Sequence, residues 1–307
     1  MLSQKLLAGK MLSVAEDYLL VGNGAAELIN VLGRILKGKL CVSLPAFNEY
    51  VRCFQNCEIV PLMSAAFDFR LDSQRLCDAA RETDILAIVT PDNPSGCLLP
   101  FFDLVKVLDV CKENNTLCIV DESFIDFAEK EKRYTLLDNR LLAQYPNLIA
   151  IKSISKSYGV PGLRLGVLAS SDIELLHRLR KELPIWNINS YAEYFMQIIG
   201  LYQPLYREAC EKIVVERRIQ LERLQTIRFL RVYPSQANYI MCEVSGGRTA
   251  REIASQMLNQ HNILIKDLSQ KQGFDKRQFI RIAVKDSNEN LLLYKAMKSL
   301  EEFDLRI

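Results

Sequence analysis

One lysine set among small hydroxyl residues, Ser153-Ile154-Ser155-Lys156-Ser157, is followed by a glycine and proline bend and then, eight positions after the lysine, by Arg164. An ordinary lysine, with a pKa of about 10.4, is protonated and a poor nucleophile at neutral pH. Desolvation or a neighbouring cation brings it into range. Hydroxyls and an arginine beside it make a holder for a dianionic phosphate. The segment therefore reads as a Schiff-base lysine next to a cofactor phosphate, which is the chemistry of pyridoxal 5'-phosphate. An isolated match of this kind is more often an exposed basic loop, so the company it keeps decides.

Three further segments precede it in a fixed order. Gly22-Asn23-Gly24-Ala25-Ala26-Glu27-Leu28 is a glycine turn running into a helix, whose free N–H groups and dipole can bind a phosphate. Pro91-Asp92-Asn93-Pro94-Ser95-Gly96 is a tight turn presenting an asparagine amide. Val120-Asp121-Glu122-Ser123-Phe124 sets a carboxylate at a strand end. Alone, these are a helix start, a turn and a helix cap.

The elements that must position these residues alternate between short apolar runs and amphipathic stretches. The strands expected are 40–44, 58–62, 85–90, 117–121, 148–152 and 165–169, with helices at 25–36, 49–55, 73–81, 101–113 and 136–144. Strands apolar throughout and separated by helices predict an α/β fold with a mostly parallel sheet covered on both faces. Such sheets bind ligands at the carboxyl ends of their strands, where Asn93, Asp121 and Lys156 fall. From about residue 190 the pattern changes to a long helical region, 191–224. Strands at 229–233, 238–243, 263–266 and 279–284 and helices at 249–260 and 288–302 follow. This predicts a large α/β domain over 1–200 and a smaller C-terminal α+β domain over 201–307.

Composition removes several classes. The net charge is +2 among interspersed charges, so no basic field recommends nucleic acid. Nine cysteines form no C-x-x-C pair, and Cys41, Cys77, Cys111, Cys118 and Cys242 lie in or near apolar runs, which suits a reducing cytoplasm. The only histidines, His177 and His261, lie far apart, so neither a metal site nor a histidine triad is expected. No apolar run is long enough for a bilayer, and Met1-Leu2-Ser3-Gln4-Lys5 is followed by mixed residues rather than a signal-peptide apolar core, so none is expected. A cytoplasmic protein without a membrane partner is expected.

Taken together, the four motifs resemble the class I/II aminotransferases of the pyridoxal phosphate fold-type I superfamily, over about residues 18–302. The resemblance is nearest the branch of histidinol-phosphate aminotransferase and threonine-phosphate decarboxylase. It implies that Lys156 forms the Schiff base and moves the proton, and that Asp121 pairs with the ring nitrogen. Asn93 would donate to the cofactor's phenolate oxygen. Ser153, Ser155 and Arg164, with the backbone at Gly24, Ala25 and Ala26, would hold the phosphate. Phe47 would stack on the ring, and Arg281, in Phe279-Ile280-Arg281-Ile282-Ala283, would grip the substrate carboxylate. A homodimer is implied as well.

Departures from the family pattern shape the expectation. The family's N-terminal arm is not expected upstream of the glycine turn, which would suit a truncated product, an internal domain of a longer or fused protein, or a degenerate paralogue. Phe124 stands where a tyrosine is common, and with Leu183-Pro184-Ile185-Trp186-Asn187-Ile188-Asn189 it looks more like the decarboxylases. Ala26 replaces an aspartate whose contact is made by the backbone. The leading expectation is an aminotransferase acting on a small amino acid or amine, in one form phosphate- or phosphonate-bearing, with small-molecule amino donor and acceptor. The alternatives are α-decarboxylation of a phosphorylated amino acid and a non-catalytic pyridoxal phosphate-binding paralogue.

Overall fold

Ile85–Val89 is apolar at every position and Leu148–Lys152 at all but its last; such runs are stable only with cover on both faces, and both are buried along their whole length. A computed structural model, which describes residues 2–302, shows how that cover is built. Helix α1 (Leu2–Leu12) leads into β1 (Leu19–Asn23), α2 (Ala25–Ile35), β2 (Gly38–Leu44), α3 (Asn48–Cys53) and β3 (Cys57–Met63). Next come α4 (Ser73–Glu82), β4 (Ile85–Val89), α5 (Phe101–Glu113), β5 (Leu117–Asp121), α6 (Asn139–Gln144) and β6 (Leu148–Lys152). A single turn, α7 (Ile154–Ser157), precedes β7 (Leu165–Ala169), α8 (Ile173–Glu182) and α9 (Ser190–Ile198).

These strands form a 7-stranded sheet in the order β1-β7-β6-β5-β4-β2-β3. The run from β3 to β6 is parallel, whereas β7 is antiparallel to β6 and β1 antiparallel to β7. Because side chains alternate across a strand, β4 sends Leu86 and Ile88 to one face and Ile85, Ala87 and Val89 to the other. The first face packs on α1, α4 and α5, the second on α2, α3 and α8.

Helix α10 (Gln203–Gln225) then carries the chain to a second, antiparallel sheet of four strands in the order β10-β11-β9-β8. Its strands are β8 (Leu230–Val232), β9 (Tyr239–Val244), β10 (Lys266–Asp267) and β11 (Gln278–Ala283), and α11 (Ala250–His261) and α12 (Ser287–Glu302) cover it. Thr249 and Glu252 start α11 with a reciprocal capping box. Arg217 of α10 is only 2 % exposed, and its Nη1 donates to the carbonyls of Phe127 (2.5 Å) and Ala237 (3.0 Å), joining a loop of the first half to the turn that leads into β9.

The expected strands and helices are present, with 101–113, 117–121, 148–152 and 165–169 unchanged and the others shifted at their ends, and each larger shift has a local cause. The stretch 191–224 is two helices rather than one, because the chain turns at Ile199–Tyr202 and Pro204 starts α10. The helix expected over 136–144 begins at Asn139, where the Asp138 carboxylate caps the N–H groups of Arg140 and Leu141. The strand expected at 263–266 is the short β10. Helices α1 and α8, the single turn α7 and strand β1 are not among the elements expected from the sequence. The described cysteines are all free, no described helix is long and apolar enough to cross a membrane, and no described residues cluster as metal ligands.

Candidate active site

The parallel strands deliver three candidate residues to one end of the first sheet. Asn93 follows β4, Asp121 closes β5, and Lys156 sits on the single turn after β6. That turn is held by Ser153, whose carbonyl accepts from the N–H of Lys156 at 3.2 Å. The Lys156 ammonium lies 4.7 Å from the centroid of the Phe47 ring and 4.9 Å from that of Phe124. Burial pushes it below the ordinary lysine range, against the pull of Asp121; the Arg281 and Arg164 cations push it further the same way. A lysine so placed reaches its nucleophilic, neutral form more readily than a surface one.

Asp121 is 3 % exposed. It accepts from the Ser123 N–H at 3.0 Å and, more distantly, from the Tyr50 hydroxyl at 3.4 Å. Among the described residues it has no salt-bridge partner. An unpaired buried carboxylate is costly, so this arrangement favours a cationic ligand group against it. Burial, with Asp121 adding to it, holds the fully buried Tyr50 phenol protonated, and so able to donate to Asp121.

The residues expected to cradle a phosphate are brought together by the pairing of β1 with β7. Gly22 lies opposite Gly166, which brings the first turn of α2 beside the strand that follows Arg164. Gly24 has φ +80, and a Cβ there would stand 2.6 Å from Arg164 Nη2, so the guanidinium lies directly over the glycine turn. Gly166 is required for a second reason: its Cβ would meet the N–H of Ala25 and stand 2.6 Å from the Gly24 carbonyl carbon. The leading N–H groups of a helix have no intrahelical acceptor, and here they lie beside an arginine. Ser153 is 5 % exposed next to the lysine turn. Ser155 differs from its expected role, because its hydroxyl accepts from the Leu165 N–H at 2.7 Å and donates to the Leu165 carbonyl at 3.3 Å. Both of its capacities are used in setting the start of β7.

The fourth part joins the two sheets. Arg281 of β11 donates through Nη1 to Asn93 Oδ1 at 2.5 Å, and its guanidinium lies 4.7 Å from the centroid of the Tyr239 ring. The Tyr239 hydroxyl donates to the Asp92 carbonyl at 2.7 Å, and the Gln236 N–H donates to the Gly96 carbonyl at 2.8 Å. The Asp92 carboxylate shapes the turn by accepting from the Ser95 N–H (3.1 Å) and hydroxyl (2.5 Å); burial nevertheless raises it to about 6. Phe124, 6 % exposed, packs edge-on against Tyr239 at 5.0 Å.

Lys156, Asp121, Phe47, Asn93 and Arg281 thus lie within one site, with Gly24, Ala25, Ala26 and Arg164, the residues expected to hold a phosphate, along one end of it. Sequence reasoning did not assign roles to Tyr50, Tyr239, Asp92 or Lys271. Tyr50 had a readable signal, standing one helical turn after Phe47. Tyr239 comes from the second sheet and Lys271 from the loop between two of its strands, and neither carries a motif. The donor set fits pyridoxal phosphate: a helix start and an arginine for the phosphate, a buried unpaired carboxylate for a cationic ring, and a desolvated lysine between two aromatic faces.

Comparison with known proteins agrees with this geometry. Residues 3–295 match the family described as aminotransferase class I and II. The chain is 31% identical over 296 residues to CMP-5'-(3-aminopropyl)phosphonate synthase of Streptomyces rubellomurinus, covering 96% of this chain and 46% of that protein. It is 31% identical over 307 residues to L-serine phosphate decarboxylase of Sulfurospirillum multivorans, covering 97% and 77% respectively. A solved decarboxylase structure from Sulfurospirillum multivorans superposes with a TM-score of 0.88 at 28% identity, over 97% of this chain and 86% of that one. Threonine-phosphate decarboxylase and histidinol-phosphate aminotransferase are among the further relatives. The chain spans about half the length of the first two curated relatives, at 46% and 48%.

Proposed function

The chain belongs to the class I and II aminotransferase family, whose cofactor is pyridoxal 5'-phosphate, and from that premise we propose that it removes the α-carboxylate from a small amino acid bearing a phosphate or phosphonate group. The observation that carries this reading is the likeness to L-serine phosphate decarboxylase, which extends over 97% of the chain. The aminotransferase expected first from the sequence becomes the second reading, supported by the histidinol-phosphate aminotransferase relatives.

When bound, the cofactor draws electrons from the amino acid's α-carbon so that a bond to that carbon can break. The residues around it would do the rest. Asp121 would hold a proton at the ring nitrogen, and Tyr50 would fix the carboxylate that does so. The helix start at Ala25 and Ala26, with Arg164, would bind the phosphate. Arg281 would pair with the substrate carboxylate and orient it, with Asn93 steadying the guanidinium. Phe47 and Phe124 would keep water from the Lys156 nitrogen. After carbon dioxide leaves with its carbon–carbon bond broken, Lys156 Nζ would deliver the proton that takes its place at the α-carbon.

The test is product analysis. With pyridoxal phosphate supplied, phosphoserine, phosphothreonine, an amino acid with a phosphonate tail, histidinol phosphate, alanine and glutamate are offered separately. Carbon dioxide and the matching amine from a phosphate- or phosphonate-bearing substrate are expected. A keto product without carbon dioxide would move the assignment to transamination, and turnover of none would leave a binding role.

We further propose that the protein acts as a homodimer. Trp186 is 91% exposed, Ile185 78% and Tyr191 77%, a concentration of apolar surface within a few residues of sequence that suits a second copy. Sedimentation should show a dimer and Trp186→Ser should weaken it; a monomer at micromolar concentration would reject the idea.

A further inference from the structure

The hairpin that carries Arg281 also reaches the loop that carries Phe47. Between β10 and β11 the chain makes a loop, and from it the Lys271 ammonium donates to the Ala46 carbonyl and, at 2.6 Å, to Asn48 Oδ1. These are the residues on either side of Phe47. Two residues on, Gly273 has φ +95 and is wedged against the same loop; a Cβ there would stand 2.7 Å from the Pro45 nitrogen and 2.9 Å from the Leu44 carbonyl carbon. The contact is therefore backbone against backbone, clasped by one long side chain.

Lys271 is an unusual choice for a purely structural clasp. Among the described residues it has no carboxylate partner in a salt bridge, and the two oxygens it donates to are both neutral. Burial lowers it to about 8, with Asp92 opposing and the Arg281 and Lys266 cations adding to the fall. Placing an ammonium on neutral acceptors in a partly dry site costs free energy, which a shorter polar residue would avoid. What the lysine gains is reach. It crosses from the second sheet to the ring-bearing loop, while Arg281 on the same hairpin crosses to the asparagine turn.

We propose that Lys271 is a positioning residue that sets the pose of the Phe47 ring over the cofactor site and ties it to the hairpin that presents Arg281. The ring is 4.7 Å from the Lys156 ammonium, so a displaced loop moves one wall of the site. Lys271 holds the residues on either side of Phe47, so its proposed influence on the cofactor runs through that ring. That indirect route separates it from a residue that touches the ligand, and from one that merely supports the fold.

The experiment is a double-mutant cycle on pyridoxal phosphate affinity, read by spectroscopic titration of the apoprotein. Lys271→Met in the otherwise unchanged protein is expected to raise the dissociation constant roughly tenfold, a coupling in the range found for residues in contact. In a Phe47→Ala background the same change should have less than about a twofold effect, because there is no ring left to position. Lys271→Arg, which keeps a donor of similar length, should restore affinity to within about threefold. Lys271→Gln is carried in parallel, so that the cycle can be completed if the methionine variant does not fold. Equal losses in both backgrounds, or no loss in either, would overturn the proposal.

Discussion

Replacing Lys156 with alanine is expected to stop turnover while leaving the fold unchanged. The side chain makes no hydrogen bond among the described residues, and its ammonium lies near the faces of Phe47 and Phe124, so its removal costs little packing. Loss of a positioned proton donor alone costs about 10²–10⁴-fold in rate, and losing the attachment point for the cofactor should add to that. Borohydride treatment of the wild type with pyridoxal phosphate should fix the cofactor to the peptide containing Lys156, seen as a mass increase. The alanine variant should gain no mass yet unfold at the same temperature. Labelling of another lysine in the wild type would displace Lys156 from its role.

The second large effect is expected at Arg281. Truncating one member of a buried charged contact costs about 2–5 kcal/mol, which is roughly a 30-fold to several-thousand-fold loss in kcat/KM. A carboxylate-binding role fixes where that loss falls. Arg281→Ala should weaken the amino acid substrate strongly but leave the affinity for the decarboxylated amine nearly unchanged, since the amine has no carboxylate to hold. Inhibition by the amine product measures this directly. Equal weakening of both ligands would mean that Arg281 supports Asn93 and the turn around it rather than the substrate. Arg281→Lys should recover only part of the loss, because an ammonium cannot hold Asn93 and a carboxylate with the same planar fork.

Much of the site was readable because its parts lie on short stretches tied to strand ends. Asp121 ends a strand whose limits, 117–121, are those expected, and Lys156 follows one ending at 152 as expected. Parallel sheets bring such residues together by their topology, so knowing the strands came close to knowing the site. Legibility failed where contact depends on three dimensions. Nothing in the sequence shows that the Ser155 hydroxyl is taken up by Leu165 rather than free for a phosphate, since the bond forms only once β7 is docked. Lys271 sits in a polar loop typical of solvent-exposed chain, and only the approach of Gly273 to Pro45 reveals what it touches. Strand β1 went unread for a different reason: three apolar residues before a glycine, Leu19-Leu20-Val21-Gly22, are too short a signal without their partner strand.

That partner strand bears on when the site can form. Gly24 and Arg164, the two halves of the proposed phosphate cradle, are far apart along the chain, and a single edge ladder with Gly22 opposite Gly166 brings them together. Closing so large a loop is entropically expensive and slow, so pairings of this kind tend to be completed late in folding. A ligand that binds across the ladder recognises only molecules that have finished closing it. It should therefore stabilise the native chain by mass action, by about 2.7 kcal/mol at a hundredfold excess over its dissociation constant. Ligand supply would then raise the folded fraction of the protein as well as its activity.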